Sequence, residues 1–367
     1  MNKLKFFSSA LLLIFIASAT LTARPKVKNV IFMIGDGMGI AAVTSVYFQN
    51  DGQPLAMQRA TNGGVILTWS SSSKVTDSAA ASTAMACGVK TNNGAIGVDS
   101  KKNPVESILI KASKAGMATG LVVTESITGA TPAGFIAHDP SRQNAELIAE
   151  SFLNSGINLF IGGGSQSFNK RKDGRDLISE MTDKGYKMTD SFSDVLSYSG
   201  NKLGALLAPS KLDKAADRGD YLPDATAKSL ELLKKASRKG FFVMIEGSLI
   251  DGGGHGNDIN MVVSETKDFD KAVGKAFDFA DKNPGTLVIV TADHETGGLT
   301  LAAAKNDDEQ HAITPGIAYG FSTKGHTATM VPLLAYGTGA EYFGGIKDNT
   351  ELPKLIASLL GLQWTKN

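Results

Sequence analysis

The stretch "NVIFMIGDGMG", Asn29–Gly39, decides how the rest of the chain is read. Its first six residues are almost wholly apolar and run straight into Gly35-Asp36-Gly37. A short apolar run without alternation, closed by glycine, reads as a strand buried on both faces. The same grammar recurs along the chain. "ATGLVV" leads into Thr124, "INLFI" into Gly162-Gly163-Gly164, and "GFFVMI" into Glu246. "TLVIVT" leads into Asp293-His294, and "VPLLAY" into Gly337.

Helix-like stretches lie between these runs. "PVESILIKASKAG" and "PDATAKSLELLKKASRKG" each open on proline and close on glycine, the asymmetry of helix ends. From Val262 to Ala280, apolar residues return at helical spacing through Phe269, Val273 and Phe277. Strands alternating with helices predict an α/β fold, with a mostly parallel sheet covered on both faces. The polar span 166–216 reads as a surface excursion of the same domain. In such sheets ligands bind beyond the carboxyl ends of the strands. Asp36, Glu246, Asp293 and His294 all fall at such ends.

With 37 Lys+Arg against 36 Asp+Glu, the chain has no basic field to hold nucleic acid. "MNKLKFFSSALLLIFIASA" has the early lysines, short apolar core and small-residue end of a secretory signal, too short to span a bilayer comfortably. The expected organisation is a signal peptide over 1–23, with cleavage after Ala19 or Ala23, and one catalytic domain over 24–367. The product is periplasmic or secreted, with no membrane anchor after cleavage. The single cysteine, Cys87, excludes an internal disulfide and reads as a small buried apolar residue.

The candidate chemistry lies in short motifs. "EGSLIDGGGH" offers Glu246, Asp251 and His255, "TADHE" offers Asp293 and His294, and "KGHT" offers His326. With Asp36 they supply enough imidazole and carboxylate for two zinc ions. Ser78 follows Asp77 and opens an alanine-rich run, "SAAASTAMAC". A helix N-terminus there would present N–H groups to a phosphate, and small side chains would let the ligand approach.

"VTDSAAASTA" resembles the nucleophile motif of the alkaline phosphatase family. "IGDGMG", "TPAGFIAHDPSR", "EGSLIDGGGH", "TADHETGG" and "GHT" resemble further motifs of that family, in its order. The resemblance implies the family's fold, without a large crown insertion between Gly298 and His326. It implies hydrolysis of small phosphate monoesters at alkaline pH, releasing inorganic phosphate, with Ser78 forming a phosphoserine. Asp251, His255 and His326 would hold one zinc, and Asp36, Asp293, His294 and Ser78 the other. Asp36, Thr131 and Glu246 would hold a magnesium ion. Arg142 would grip two phosphoryl oxygens through its planar fork. Gly129 and Gly252 stand where many bacterial members carry aspartate and lysine. His138 resembles a structural histidine, His311 reads as a surface residue, and a homodimer is implied by family habit. The rival activities are phosphodiester or sulfate-ester hydrolysis, or phosphate binding without turnover.

Overall fold

The structure is a computed structural model and describes residues 26–50, 52–304 and 312–364. The leader and His311 lie outside the described residues. Among the described residues no helix is long and apolar enough to cross a membrane.

The described residues form fifteen strands. β1 (Asn29–Gly35), β2 (Asn62–Leu67), β3 (Ala118–Ser126), β4 (Leu159–Gly163) and β5 (Lys187–Thr189) come first. β6 (Leu203–Leu206), β7 (Phe241–Gly247), β8 (Thr286–Thr291), β9 (Glu295–Thr296) and β10 (Leu299–Ala303) follow. β11 (Ala312–Thr314), β12 (Ile317–Phe321), β13 (His326–Thr327), β14 (Val331–Gly337) and β15 (Gly345–Asp348) complete the set. Ten of them form one sheet in the order β15-β2-β14-β8-β1-β7-β3-β4-β6-β5. The run from β8 through β1, β7, β3, β4 and β6 to β5 is parallel throughout.

The apolar runs explain the centre of this sheet. All seven residues of β7 and all six of β8 are buried, so neither strand alternates. The helix Ile259–Lys282 supplies a long amphipathic cover, burying Phe269, Val273 and Phe277. The helix Ile108–Lys114 starts later than the proline signal suggested. Ser107 caps it by accepting from the Ile110 N–H at 3.2 Å, and Pro104 lies in an isolated bridge with Val98.

Two expectations need correction. "VPLLAY" is β14, and it pairs antiparallel with both β8 and β2. The reason is topological: the chain leaves β8 at its carboxyl end, passes through β9–β13 and enters β14 at that same end, Leu333 standing opposite Thr291, so β14 runs back antiparallel to β8. Its Gly337 end therefore lies away from the carboxyl ends of the parallel strands. The span 166–216 is more than an excursion, because it supplies β5 and β6 at one edge of the sheet. These strands have only three and four residues, too short for a sequence pattern to separate from loop. Between Gly298 and His326 the described residues form a three-stranded sheet of β10, β12 and β11.

Candidate active site

Asp36 follows β1, and its position depends on the glycine after it. Gly37 has φ +72°, and a Cβ there would fall 2.8 Å from Asp251 Cα. Glycine thus permits both the left-handed turn and the close approach of the 251 backbone. The Gly37 N–H donates to Asp293 Oδ1 at 3.0 Å, as does the His294 N–H at 2.9 Å. The ends of β1 and β8 are tied together through this one carboxylate. Glu246 closes β7, opposite Ile34 of β1 and Val123 of β3.

Asp251 and His255 lie one turn apart on the helix Ile250–Gly256, which follows β7. His255 Nε2 is 3.2 Å from Asp251 Oδ2. His326 arrives from the other side. It lies on β13, which pairs antiparallel with β9, opposite Thr296. His326 Nε2 stands 3.2 Å from His255 Nε2 and 3.6 Å from Asp251 Oδ1. Its ring stacks on His294 with centroids 3.5 Å apart.

Ligand atoms of Asp36, Asp293 and His294 lie within 4.8 Å of one another, and so do those of Asp251, His294 and His326. His294 thus stands between two candidate cation positions, with His255 beside the second. Each outer imidazole is fixed through its far nitrogen. His255 Nδ1 donates to the Lys324 carbonyl at 2.5 Å, and His326 Nδ1 to the Thr76 carbonyl at 2.9 Å. That choice of tautomer leaves each Nε2 with a lone pair for a cation.

Ser78 is the first residue of the helix Ser78–Cys87, all ten residues of which are buried. Asp77 caps the helix by accepting from the Ala80 N–H at 3.0 Å. Ser78 Oγ lies 3.2 Å from His294 Nε2, which brings the hydroxyl to the rim of the candidate ligand cluster. Arg142 comes from the loop before the helix Ala145–Asn154, and its Nη1 is 3.4 Å from Asp77 Oδ2. Asp77 Oδ2 also accepts from the Gly94 N–H at 2.8 Å, while the Arg142 N–H donates to the Gly94 carbonyl at 2.7 Å. Asp77 therefore both caps the helix that begins at Ser78 and contacts Arg142, a second role that its place in the sequence did not reveal.

Thr296 was also missed. Its hydroxyl donates to Asp251 Oδ1 at 2.6 Å and lies 3.2 Å from His294 Nδ1. Its only sequence signal is its position in "TADHETGG", directly before two glycines. His138 stands outside the cluster, donating from Nδ1 to the Gly97 carbonyl at 2.6 Å. Cys87 is buried, and burial pushes its thiol up to about 12.

The electrostatics require cations. Both Glu246 carboxylate oxygens, Thr131 Oγ1, Asp36 Oδ1 and Asp293 Oδ2 are buried with no hydrogen-bond partner among the described residues. Burying anionic oxygens without partners is costly. Without metal, burial and then the Asp293 and Asp251 charges drive the Asp36 carboxyl well above its usual range. Burial and the Glu125 charge do the same to Glu246. Burial raises Glu125 to about 7 against the opposing charge of Arg142. Asp251 is held low despite burial, through the His255 hydrogen bond and the His294 charge. His255, bonded to Asp251, rises to about 9. A set of anionic oxygens and imidazole nitrogens converging without lysine or arginine suits divalent cations.

A profile of the family described as "Alkaline phosphatase" matches residues 27–314. Alkaline phosphatase 3 of Bacillus subtilis is 34% identical, over 92% of this chain and 90% of that one. The structure of the alkaline phosphatase from the Antarctic bacterium TAB5 is similar at a TM-score of 0.87 and 40% identity, over 93% of this chain and 100% of that one. A histidine-to-aspartate mutant of the TAB5 enzyme, solved with magnesium in its M3 site, gives 0.86 and 41% over the same shares.

Proposed function

The chain belongs to the alkaline phosphatase family and hydrolyses phosphate monoesters, and we propose that it does so through a phosphoserine on Ser78 at a two-zinc and one-magnesium site. The observation that carries this reading is the 3.2 Å approach of Ser78 Oγ to His294 Nε2, at the N-terminus of a buried helix beside two convergent ligand groups. Asp251, His255 and His326 would hold one zinc, and Asp36, Asp293 and His294 the other, with Ser78 as its further partner. Thr131, Glu246 and Asp36 would hold magnesium, whose preference for oxygen fits the orphaned Glu246 and Thr131 oxygens. When bound, these ions supply concentrated positive charge that lowers the pKa of a coordinated hydroxyl and offsets charge on attacking and leaving oxygens.

The chain's own groups do the rest. The start of the helix Ser78–Cys87 faces the phosphoryl group with backbone N–H donors, and the helix dipole favours its negative charge. Alanine at 79–81 keeps bulk away from that approach. Ser78 Oγ attacks phosphorus in line with the leaving oxygen, and a second in-line displacement by water releases phosphate. Two inversions give net retention at phosphorus. Arg142, held by Asp77, presents its fork to two non-bridging oxygens. A diester carries an alkyl group where one prong would bind, which favours monoesters over the diesters of the rival reading.

The proposed organisation is a single catalytic domain over 24–367, supported by one ten-stranded sheet that contains both the first strand, β1, and the last, β15. Export to the periplasm or beyond rests on the leader pattern of residues 1–23, and a homodimer on the family resemblance. The test of the nucleophile is acid quenching with labelled phosphate, followed by peptide mapping. Label on Ser78, absent in Ser78→Ala, is expected. Label elsewhere, for example on Thr83, would overturn the assignment.

A further inference from the structure

Gly129 lacks the side chain that the resemblance places beside the third cation position. The space is filled nonetheless. A Cβ built on Gly129 would overlap Oε1 of Glu125, and it would lie 2.5 Å from the Glu125 carboxyl carbon. Glu125 is the penultimate residue of β3, two residues after Val123, and Val123 stands opposite Glu246 in the ladder. The Glu125 carboxylate has no hydrogen-bond or ion-pair partner among the described residues. Close by, the fully buried Glu246 and Thr131 present three oxygens that also have none. Buried oxygens without partners on Glu246 and Thr131, facing the half-buried carboxylate of Glu125, mark the place of a cation.

We propose that Glu125 supplies, from the end of β3, the third-site carboxylate that position 129 cannot, so that magnesium is held by Glu125 together with Glu246, Thr131 and Asp36. The proposal rests on the magnesium site put forward above and names a ligand that reading does not contain. Its chemistry is consistent. Magnesium takes hard oxygen ligands, uses one or two carboxylates and keeps several waters. Asp36 is shared with the zinc position, so a further carboxylate helps balance the ion's charge. The glycine at 129 is then required for a steric reason: a side chain there would displace the Glu125 carboxylate.

A carboxylate placed beside Arg142 has another conceivable use, to hold the arginine. The Arg142 guanidinium already has Asp77 at 3.4 Å, and no direct pair to Glu125 is formed. The two roles separate in a binding experiment. Zinc-loaded protein is titrated with magnesium chloride by calorimetry, and bound zinc is counted in parallel. Wild type should take up one magnesium per chain. Glu125→Gln, which keeps the side chain's shape, should weaken that binding about tenfold or more while retaining its zinc, the scale seen when a partner of a metal site is lost. The double variant Glu125→Ala/Gly129→Asp should regain most of the affinity, because the aspartate enters the vacated space. Equal magnesium affinity in wild type and Glu125→Gln would overturn the proposal while leaving the magnesium site intact. Weaker phosphate inhibition with unchanged magnesium affinity would assign Glu125 to Arg142 instead and overturn it too. Wild type that binds no magnesium would overturn both this proposal and the third site, without touching the Ser78 assignment.

Discussion

Two clusters of buried carboxylates lie in this molecule, and they are built on opposite plans. On the helix Ile259–Lys282, Glu265 and Asp268 face Arg218. Its Nη2 is 2.7 Å from Glu265 Oε2 and 2.6 Å from Asp268 Oδ2, and Nη1 adds Glu265 Oε1 at 3.1 Å. The Ala215 N–H donates to the same glutamate at 2.8 Å. This cluster carries its own cation and its own donors. At the carboxyl ends of β1, β7 and β8, Asp36, Glu246 and Asp293 keep buried oxygens without a hydrogen-bond partner; among the described residues no lysine or arginine pairs with them, and only the His294 imidazole approaches, at 3.1 Å from Asp293 Oδ2 and 3.6 Å from Asp36 Oδ1. A buried anion needs a counter-charge. Where the chain supplies one, the cluster is structural. Where the chain withholds it, the cluster is suited to a cation from solution.

The comparison breaks most sharply under single substitutions. Asp36→Asn should reduce monoesterase turnover by about 10³-fold or more, since losing a ligand forfeits several kcal/mol of metal-derived transition-state stabilisation. The same substitution should raise the Tm of the chelated protein, because it removes a buried, repelled charge. A chelated Asp36→Asn protein with a lowered Tm would show that the aspartate is structural. Arg218→Met should do the reverse. It should cost about 3 kcal/mol of stability by stranding two buried carboxylates, with zinc content and kcat unchanged. Denaturant unfolding and metal analysis on one preparation decide both.

How much of this was legible beforehand follows from the range of the interactions. The central strands were readable because burial on both faces leaves unbroken apolar runs, as in "GFFVMI" and "TLVIVT". The candidate ligands Asp36, Glu246, Asp293 and His294 were readable because they fall at the ends of those runs, and Asp251, His255 and His326 because their motifs resemble a known family. The direction of β14 was not, since an apolar run carries no sign of which way its strand points. Short edge strands such as β5 hide in polar sequence. Asp77 and Thr296 act through partners 65 and 45 residues away, respectively. For Glu125 a signal existed: "ATGLVVTES" puts a carboxylate at a strand's end, the same signature that marked Glu246.

The pH dependence of the metal-free protein sharpens the contrast further. Asp36 and Glu246 are driven above their usual range, and Glu125 to about 7. Between about pH 4.5 and 7 the folded chain therefore binds more protons than the unfolded one, and stability falls as pH rises. His255, raised to about 9, extends the fall above its unfolded pKa of about 6.5. His326, lowered chiefly by burial, opposes it below that point. The Tm of chelated protein should drop from pH 5 to pH 8, and zinc with magnesium should remove the drop. A flat profile in the chelated protein would contradict the charge assignment.

The smallest expected effect concerns Gly252. A Cβ there would meet Met261 Cε at 3.1 Å, the flexible end of a side chain, so substitution is tolerated. Gly252→Lys should add a positive charge near the phosphoryl oxygens and tighten phosphate inhibition by up to about tenfold, the scale of one charge-assisted hydrogen bond. An unchanged inhibition constant would show that position 252 does not face the phosphate.

The most direct test of why the site's carboxylates lack partners is the bound-metal content of purified, active protein, followed through chelation and readdition. The expected result is two zinc ions per chain, lost together with activity and restored together with it. Fully active protein with no bound zinc would contradict the account, because the buried oxygens of Asp36 and Asp293 would then have to be satisfied in some other way.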